Sequence, residues 1–132
     1  MPEPQLEGQR LQASLTVKDL PRSVAWYADV LGFSVAQRSE KDGKLFAVTV
    51  DAGAVRVVLH QDDGAKGWDR VKGVGISLTI STGQDIDAVA RRVKAHGSAL
   101  ESEPRDMPWG ARSFRVRDPD GFLWTVSRAH AA

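Results

Sequence analysis

The sequence predicts an α+β domain made of two βαβββ modules, and three observations predict it. Signatures of strand, helix, strand, strand and strand occur twice in that order, at an offset of roughly 65 residues. Residues 11–17 and 73–80 place apolar side chains at every second position, whereas 19–31 and 85–96 carry apolar residues at helical spacing. Near the C-terminus, Asp118-Pro119-Asp120-Gly121 lies between two alternating apolar runs, which reads as a tight turn joining two strands.

The elements can be justified in order. Residues up to Arg10 are polar and contain prolines, as a loose arm would. In 11–17, Leu11, Ala13, Leu15 and Val17 share one face and Gln12, Ser14 and Thr16 the other. Asp19 is a helix cap, with Pro21 in the first turn where a missing N–H costs nothing. Val24, Tyr27, Val30 and Leu31 face inward and Gly32 ends the helix. Strands are expected at 33–39, 44–50 and 54–60, turning at Asp42-Gly43 and at Ala52-Gly53. The polar, glycine-rich segment 62–73 links the halves. A strand is then expected over 73–80 and a helix over 85–96, with Ile86, Val89, Ala90 and Val93 inward and Gly97 as its stop. Three further strands are expected at 99–101, 111–116 and 122–127. A module of this size buries its own apolar face poorly, so the two should pack together as a single domain over 1–132, with modules near 11–61 and 74–128.

Composition narrows the function classes. The chain has 132 residues, 42% hydrophobic and 27% charged, which is ordinary for a globular protein. A net charge of +1 without long runs of one sign gives no reason to expect nucleic acid or an anionic membrane as partner. No apolar run reaches membrane-spanning length, the first residues lack a secretion signal, and there is no cysteine. A cytoplasmic location is the expectation. The nucleophile elbow, phosphate loop and dinucleotide fingerprint are all missing.

Three segments carry a resemblance. Val17, Asp19-Leu20, Ser23, Trp26-Tyr27 and Leu31-Gly32-Phe33 are similar, in order and spacing, to the opening pattern of the vicinal oxygen chelate superfamily, which includes glyoxalases, bleomycin-resistance proteins and extradiol dioxygenases. The hairpin 116–126 resembles that family's last one, and Pro108-Trp109-Gly110 with Arg112 resembles a segment of the bleomycin-resistance branch. The resemblance implies a cup-shaped mixed sheet with helices on its convex side and a ligand cavity within. Members that bind metal hold a divalent cation with two His and two Glu, leaving open positions for a substrate's adjacent oxygens. By motif spacing those positions fall here on Gln12, Val58, Gly75 and Thr125. None is His, Glu or Asp, and a register error of one residue does not supply any. His96 sits at a helix end, His130 in the C-terminal tail, and only His60 is on a strand face aimed at the expected cavity. No metal and no other cofactor is therefore expected.

Strand parity then nominates a pocket. Val55, Val57 and Leu59 should meet the helix, so Arg56, Val58 and His60 should face the cup with Gln12, Ser14, Thr16, Ser77, Thr79 and Thr125. Trp68 in the link and Trp109 before residue 111 could cover or stack on a planar ligand, or make a packing or dimer contact; Arg112 could meet an anionic group. Tyr27 and Trp26 read as core or module-interface residues, and Trp124 as core. The leading expectation is a metal-free protein sequestering an aromatic or amphipathic small molecule, as a homodimer with cavities completed across the two-fold. The alternatives are a lyase, isomerase or dioxygenase-type enzyme, either metal-dependent or using His60 as acid–base, and an accessory partner with a vestigial pocket.

Overall fold

The computed structural model describes residues 5–129. Its elements are β1 (Ala13–Val17), α1 (Leu20–Ala25) continued by a π-helical turn (Trp26–Val30), β2 (Ser34–Lys41), β3 (Lys44–Ala52), β4 (Val55–Gln61), β5 (Ser77–Ser81), α2 (Ile86–Ala95), β6 (Leu100–Asp106), β7 (Ala111–Arg117) and β8 (Leu123–Ala129). The repeat seen in the sequence is a repeat in space. Each half forms a four-stranded mixed sheet, ordered β1-β4-β3-β2 in the first and β5-β8-β7-β6 in the second. In each the first and last strands run parallel, and the remaining pairs are antiparallel.

Local chemistry explains the helices. The Asp19 carboxylate accepts the Arg22 N–H at 3.2 Å, and that of Asp85 accepts the Asp87 N–H at 3.0 Å, so both helices start at a side-chain cap. Gly32 and Gly97 end them at φ 83° and 87°, a left-handed conformation that costs glycine little. After Ala25 the first helix widens by one residue, and the Leu31 N–H reaches the Trp26 carbonyl at 3.4 Å.

The larger departures from the expected boundaries have local causes. The chain enters β1 only at Ala13, leaving Leu11 92% exposed and Gln12 ahead of the strand. Residues 73–76 are not a strand, because Gly73 and Gly75 at φ 77° and 78° curl the backbone out of the extended region. The β3–β4 turn is at Gly53-Ala54, one residue later than expected, and β6 runs on to Asp106.

A single core holds the halves together. Val17, Tyr27, Val48, Val57, Leu59, Val93, Phe114 and Val116 are each at most 1% exposed and belong to one continuous cluster. Helix α1 packs on β3 and β4, helix α2 on β6, β7 and β8, and α2 also touches the π-helical turn. Each sheet thus has one face against the helices and one face left open.

A buried polar clamp crosses between the modules. The Tyr27 hydroxyl donates to Asp118 Oδ2 at 2.7 Å and accepts from Trp124 Nε1 at 2.9 Å. Asp118 Oδ1 accepts the Asp120 and Phe122 N–H groups, which shapes the turn. Asp120 receives the Lys18 N–H at 2.8 Å and the Ser23 hydroxyl at 3.4 Å, while Lys72, 5% exposed, lies between it and Asp62. Burial, then the Asp118 carboxylate, push the Tyr27 hydroxyl far above its usual range, so it stays a neutral donor. Burial also raises Asp118, opposed by the Tyr27 hydroxyl and the two backbone donors.

Candidate functional site: the open sheet faces

Strand register places the candidate side chains. On the first sheet three rows run across the open face. Ser14, Val58, Thr49 and Gln37 form one, and Thr16, His60, Ala47 and Ser39 the next. Arg56, Asp51 and Ser34 form the third. Val57 and Leu59, on the other face of β4, are fully buried, as the alternation requires. This face carries mostly hydroxyl, amide and charged groups, with Val58 and Ala47 as apolar spots.

The structure brings Arg56, Val58 and His60 onto one face, as their parity predicts. Arg56 is not a free cation: its guanidinium grips Asp51 through two bonds of 2.8 Å on the neighbouring strand. That pairing lowers the Asp51 carboxyl and raises the Arg56 guanidinium. His60 is half-buried between Thr16 and Ala47 and makes no side-chain hydrogen bond among the described residues. Gln12, exposed and ahead of β1, lies beyond the end of these rows.

On the second sheet the rows are Ser77, Leu123 and Arg117; Thr79, Thr125, Arg115 and Ser102; and Ser81, Ser127, Ser113 and Arg105. Thr125 is where parity put it. Arg112 is not. It shares the helix-side face with Phe114 and Val116, and its guanidinium is held by Asp87 of α2 in two bonds of 2.8 Å and by Asp106 at 3.2 Å. Those carboxylates raise the Arg112 guanidinium, and the guanidinium in turn lowers Asp87. The Arg112 guanidinium is thus already taken up by carboxylates of its own chain. Arg115 points to the open face, is exposed, and has no ion pair or side-chain hydrogen bond among the described residues. Sequence reasoning missed it by choosing the arginine nearest Trp109, although the alternation through Ser113, Arg115 and Arg117 was already legible.

The two loop tryptophans stand apart from these rows. Trp68 is 52% exposed, with its ring over Gly64 in the link. Trp109 is 72% exposed in the β6–β7 turn, which is closed by Met107 N–H to Ala111 carbonyl at 2.7 Å. Trp124 is 2% exposed and in the core, and Trp26 packs edge-on against Tyr27. His130 lies outside the described residues.

The residues at the family's cation positions do not fit a divalent ion. Val58 offers no donor, Gly75 has no side chain and lies at φ 78° outside β5, Thr125 offers a hydroxyl, and Gln12 a lone amide. Among the described residues no three His, Asp or Glu side chains are grouped to hold a metal. No helix among them is long and apolar enough to cross a membrane.

Comparison with known proteins agrees with this architecture. Residues 9–126 match the profile of the glyoxalase/bleomycin resistance protein/dioxygenase superfamily. A probable lactoylglutathione lyase of Vibrio cholerae is 26% identical over 132 aligned positions, covering 92% of this chain and 93% of its own length. Among solved structures, TioX from Micromonospora sp. ML1 superposes with a TM-score of 0.76 at 26% identity, covering 93% of this chain and all of the other. TnmS3, an antibiotic binding protein from Streptomyces sp. CB03234, superposes with a TM-score of 0.74 at 21% identity, over 94% of this chain and 98% of its own.

Proposed function

Since the chain belongs to the glyoxalase/bleomycin resistance protein/dioxygenase superfamily, we propose that it uses the open sheet faces to sequester an amphipathic or aromatic small molecule without a metal. The observation that carries this reading is the donor set. Positions where relatives coordinate a cation hold an isopropyl group, a bare backbone, a hydroxyl and a lone amide, a set that hydrogen-bonds and packs but does not ligate. Val58 supplies an apolar contact, Thr16, His60 and Thr125 supply hydrogen bonds, and Arg115 supplies a cation for an acidic substituent. The antibiotic binding named for TnmS3 favours the same class of ligand, at the level of a shared fold.

The site needs a second copy of the chain. The core lies wholly on the helix side of both sheets, so the open faces are walls without a lid. Val71, Val74 and Ile76, each at least 58% exposed beside the start of β5, form an apolar border that a homodimer would cover. Trp68 and Trp109 are then aromatic surface available to a partner or a planar ligand.

Elemental analysis of protein purified without chelator tests the metal-free reading. Substoichiometric Ni, Zn, Fe and Mn are expected, and one bound ion per chain would overturn it. Tryptophan fluorescence during titration with aromatic antibiotics tests sequestration. Saturable quenching that weakens in Arg115→Gln is expected. The lyase reading suggested by the Vibrio relative would be favoured instead by turnover that His60→Ala abolishes.

A further inference from the structure

The two modules meet at two places that have the same construction, and only one is closed. At the first, the five residues between β7 and β8 reach the β1–α1 corner, where Asp118 and Asp120 bind Tyr27, Lys18 and Ser23. At the second, only two residues, Gly53 and Ala54, join β3 to β4. They carry no side chain able to bridge to the β5–α2 corner opposite. What remains between them is a cleft of about 570 Å³.

Its composition is specific. Leu31, Phe33, Val55, Ile80, Val89 and Val126 supply apolar walls, and Thr82 and Gln84 are polar lining residues. Among the described residues, Arg92 is the only charged one lining it. Its guanidinium lies over Gly32, where an added Cβ would stand in ordinary contact with Nη2 at 3.5 Å. Arg56, Arg70, Arg112 and Arg117 each pair with a carboxylate. Arg92 has no such partner among the described residues.

We propose that this helix-side cleft is a second ligand site, which takes a small aromatic or aliphatic monocarboxylate with its carboxylate on Arg92 and its apolar body between the modules. The volume is in the range of small-molecule pockets, roughly 300–1,000 Å³, and a mostly apolar wall with one orienting charge is their usual chemistry. A carboxylate is preferred over a phosphate because a lone guanidinium at an apolar cleft offers a planar fork for two oxygens and no second cation for a dianion. The site lies on the opposite side of the sheets from the open faces and does not depend on what those faces bind.

The test is titration of ¹⁵N-labelled protein with cinnamate, with its neutral amide cinnamamide as the control. Saturable shifts at the Gly32, Gly53 and Gly83 amides are expected, with cinnamamide binding about ten-fold more weakly or worse, as loss of a charge-assisted pair implies. Arg92→Gln should weaken cinnamate to the level of the amide. Gly83→Trp, placed where an added Cβ meets nothing within 4 Å, should block the cleft while leaving the fold intact. Shifts confined to Thr16, Thr125 and Arg115 would assign the carboxylate to the open faces and overturn the proposal. So would equal affinity for acid and amide, or no saturable shift at all. Both substitutions are at exposed positions, and the spectra themselves report that each variant is folded.

Discussion

Tyr27→Phe isolates the clamp between the modules. The hydroxyl is removed while the ring keeps its edge-on contacts with Trp26, Phe33 and Trp124 at centroid distances of 4.9, 5.7 and 5.9 Å. Two hydrogen bonds are lost, one to the 5%-exposed Asp118 carboxylate and one from the indole of the 2%-exposed Trp124. A bond to a charged group contributes about 1.5–3 kcal/mol, and an orphaned buried donor costs about 1–3 kcal/mol. The sum, about 2.5–6 kcal/mol, is a large share of the 5–15 kcal/mol typical of a domain. Urea unfolding at fixed protein concentration, followed by circular dichroism, should show a lower midpoint with an unchanged slope. Trp124→Phe removes the other end of one bond, so the double variant should be less destabilised than the sum of the singles, by about 0.5 kcal/mol or more. A loss below about 0.5 kcal/mol for Tyr27→Phe, within the range of ordinary surface substitutions, would refute the reasoning and place the stability of the module interface in apolar packing alone.

Other outcomes follow from the same structure. Asp62 is held down to about 2 from 3.8 by the Gly64 N–H, then by Lys72 and Arg70. Because the folded value is lowered, its contribution is present above pH 3.8 and is lost as pH falls toward 2. Wild type and Asp62→Asn should therefore differ in unfolding midpoint at pH 6 and converge near pH 2. Asp118, raised by burial, acts in the opposite sense: its ionisation on folding becomes unfavourable as pH rises through the raised value, a penalty that Asp118→Asn should relieve in part while retaining an acceptor. At Gly64 a methyl group would collide with the Trp68 ring at a backbone φ of 76°, so Gly64→Ala should shift Trp68 emission toward the red and lower stability. If the exposed border beside β5 closes a dimer, Ile76→Lys should move the protein to later elution in size-exclusion chromatography, and an unchanged elution volume would remove that border from the interface.

Much of the fold was legible because it rests on short-range rules. Asp19 and Asp85 announce the helices, Gly32 and Gly97 stop them, and alternation in 54–60 separates Val57 and Leu59 from Val58 and His60. The places where reading failed are equally physical. Val74 and Ile76 alternate like a strand, but Gly73 and Gly75 take positive φ and the pattern is overruled by backbone conformation. Arg112 was assigned by proximity in sequence to Trp109, when its parity with Phe114 and Val116 sets it against α2.

The amino-acid sequence by itself determined the two-module order, the helix caps and most strand phases, since each follows from residue type and spacing along one element, and the family resemblance adds that Gln12, Val58, Gly75 and Thr125 stand where a His, Asp or Glu would be needed. Only the tertiary structure decided that Arg56 and Arg112 are spent on Asp51 and Asp87, that Arg115 and Arg92 have no ion pair among the described residues, and that Asp118 and Asp120 tie one module to the other. Those outcomes depend on which charges come within a few ångströms across elements far apart in the chain, and spacing along a strand or helix carries no information about such distances.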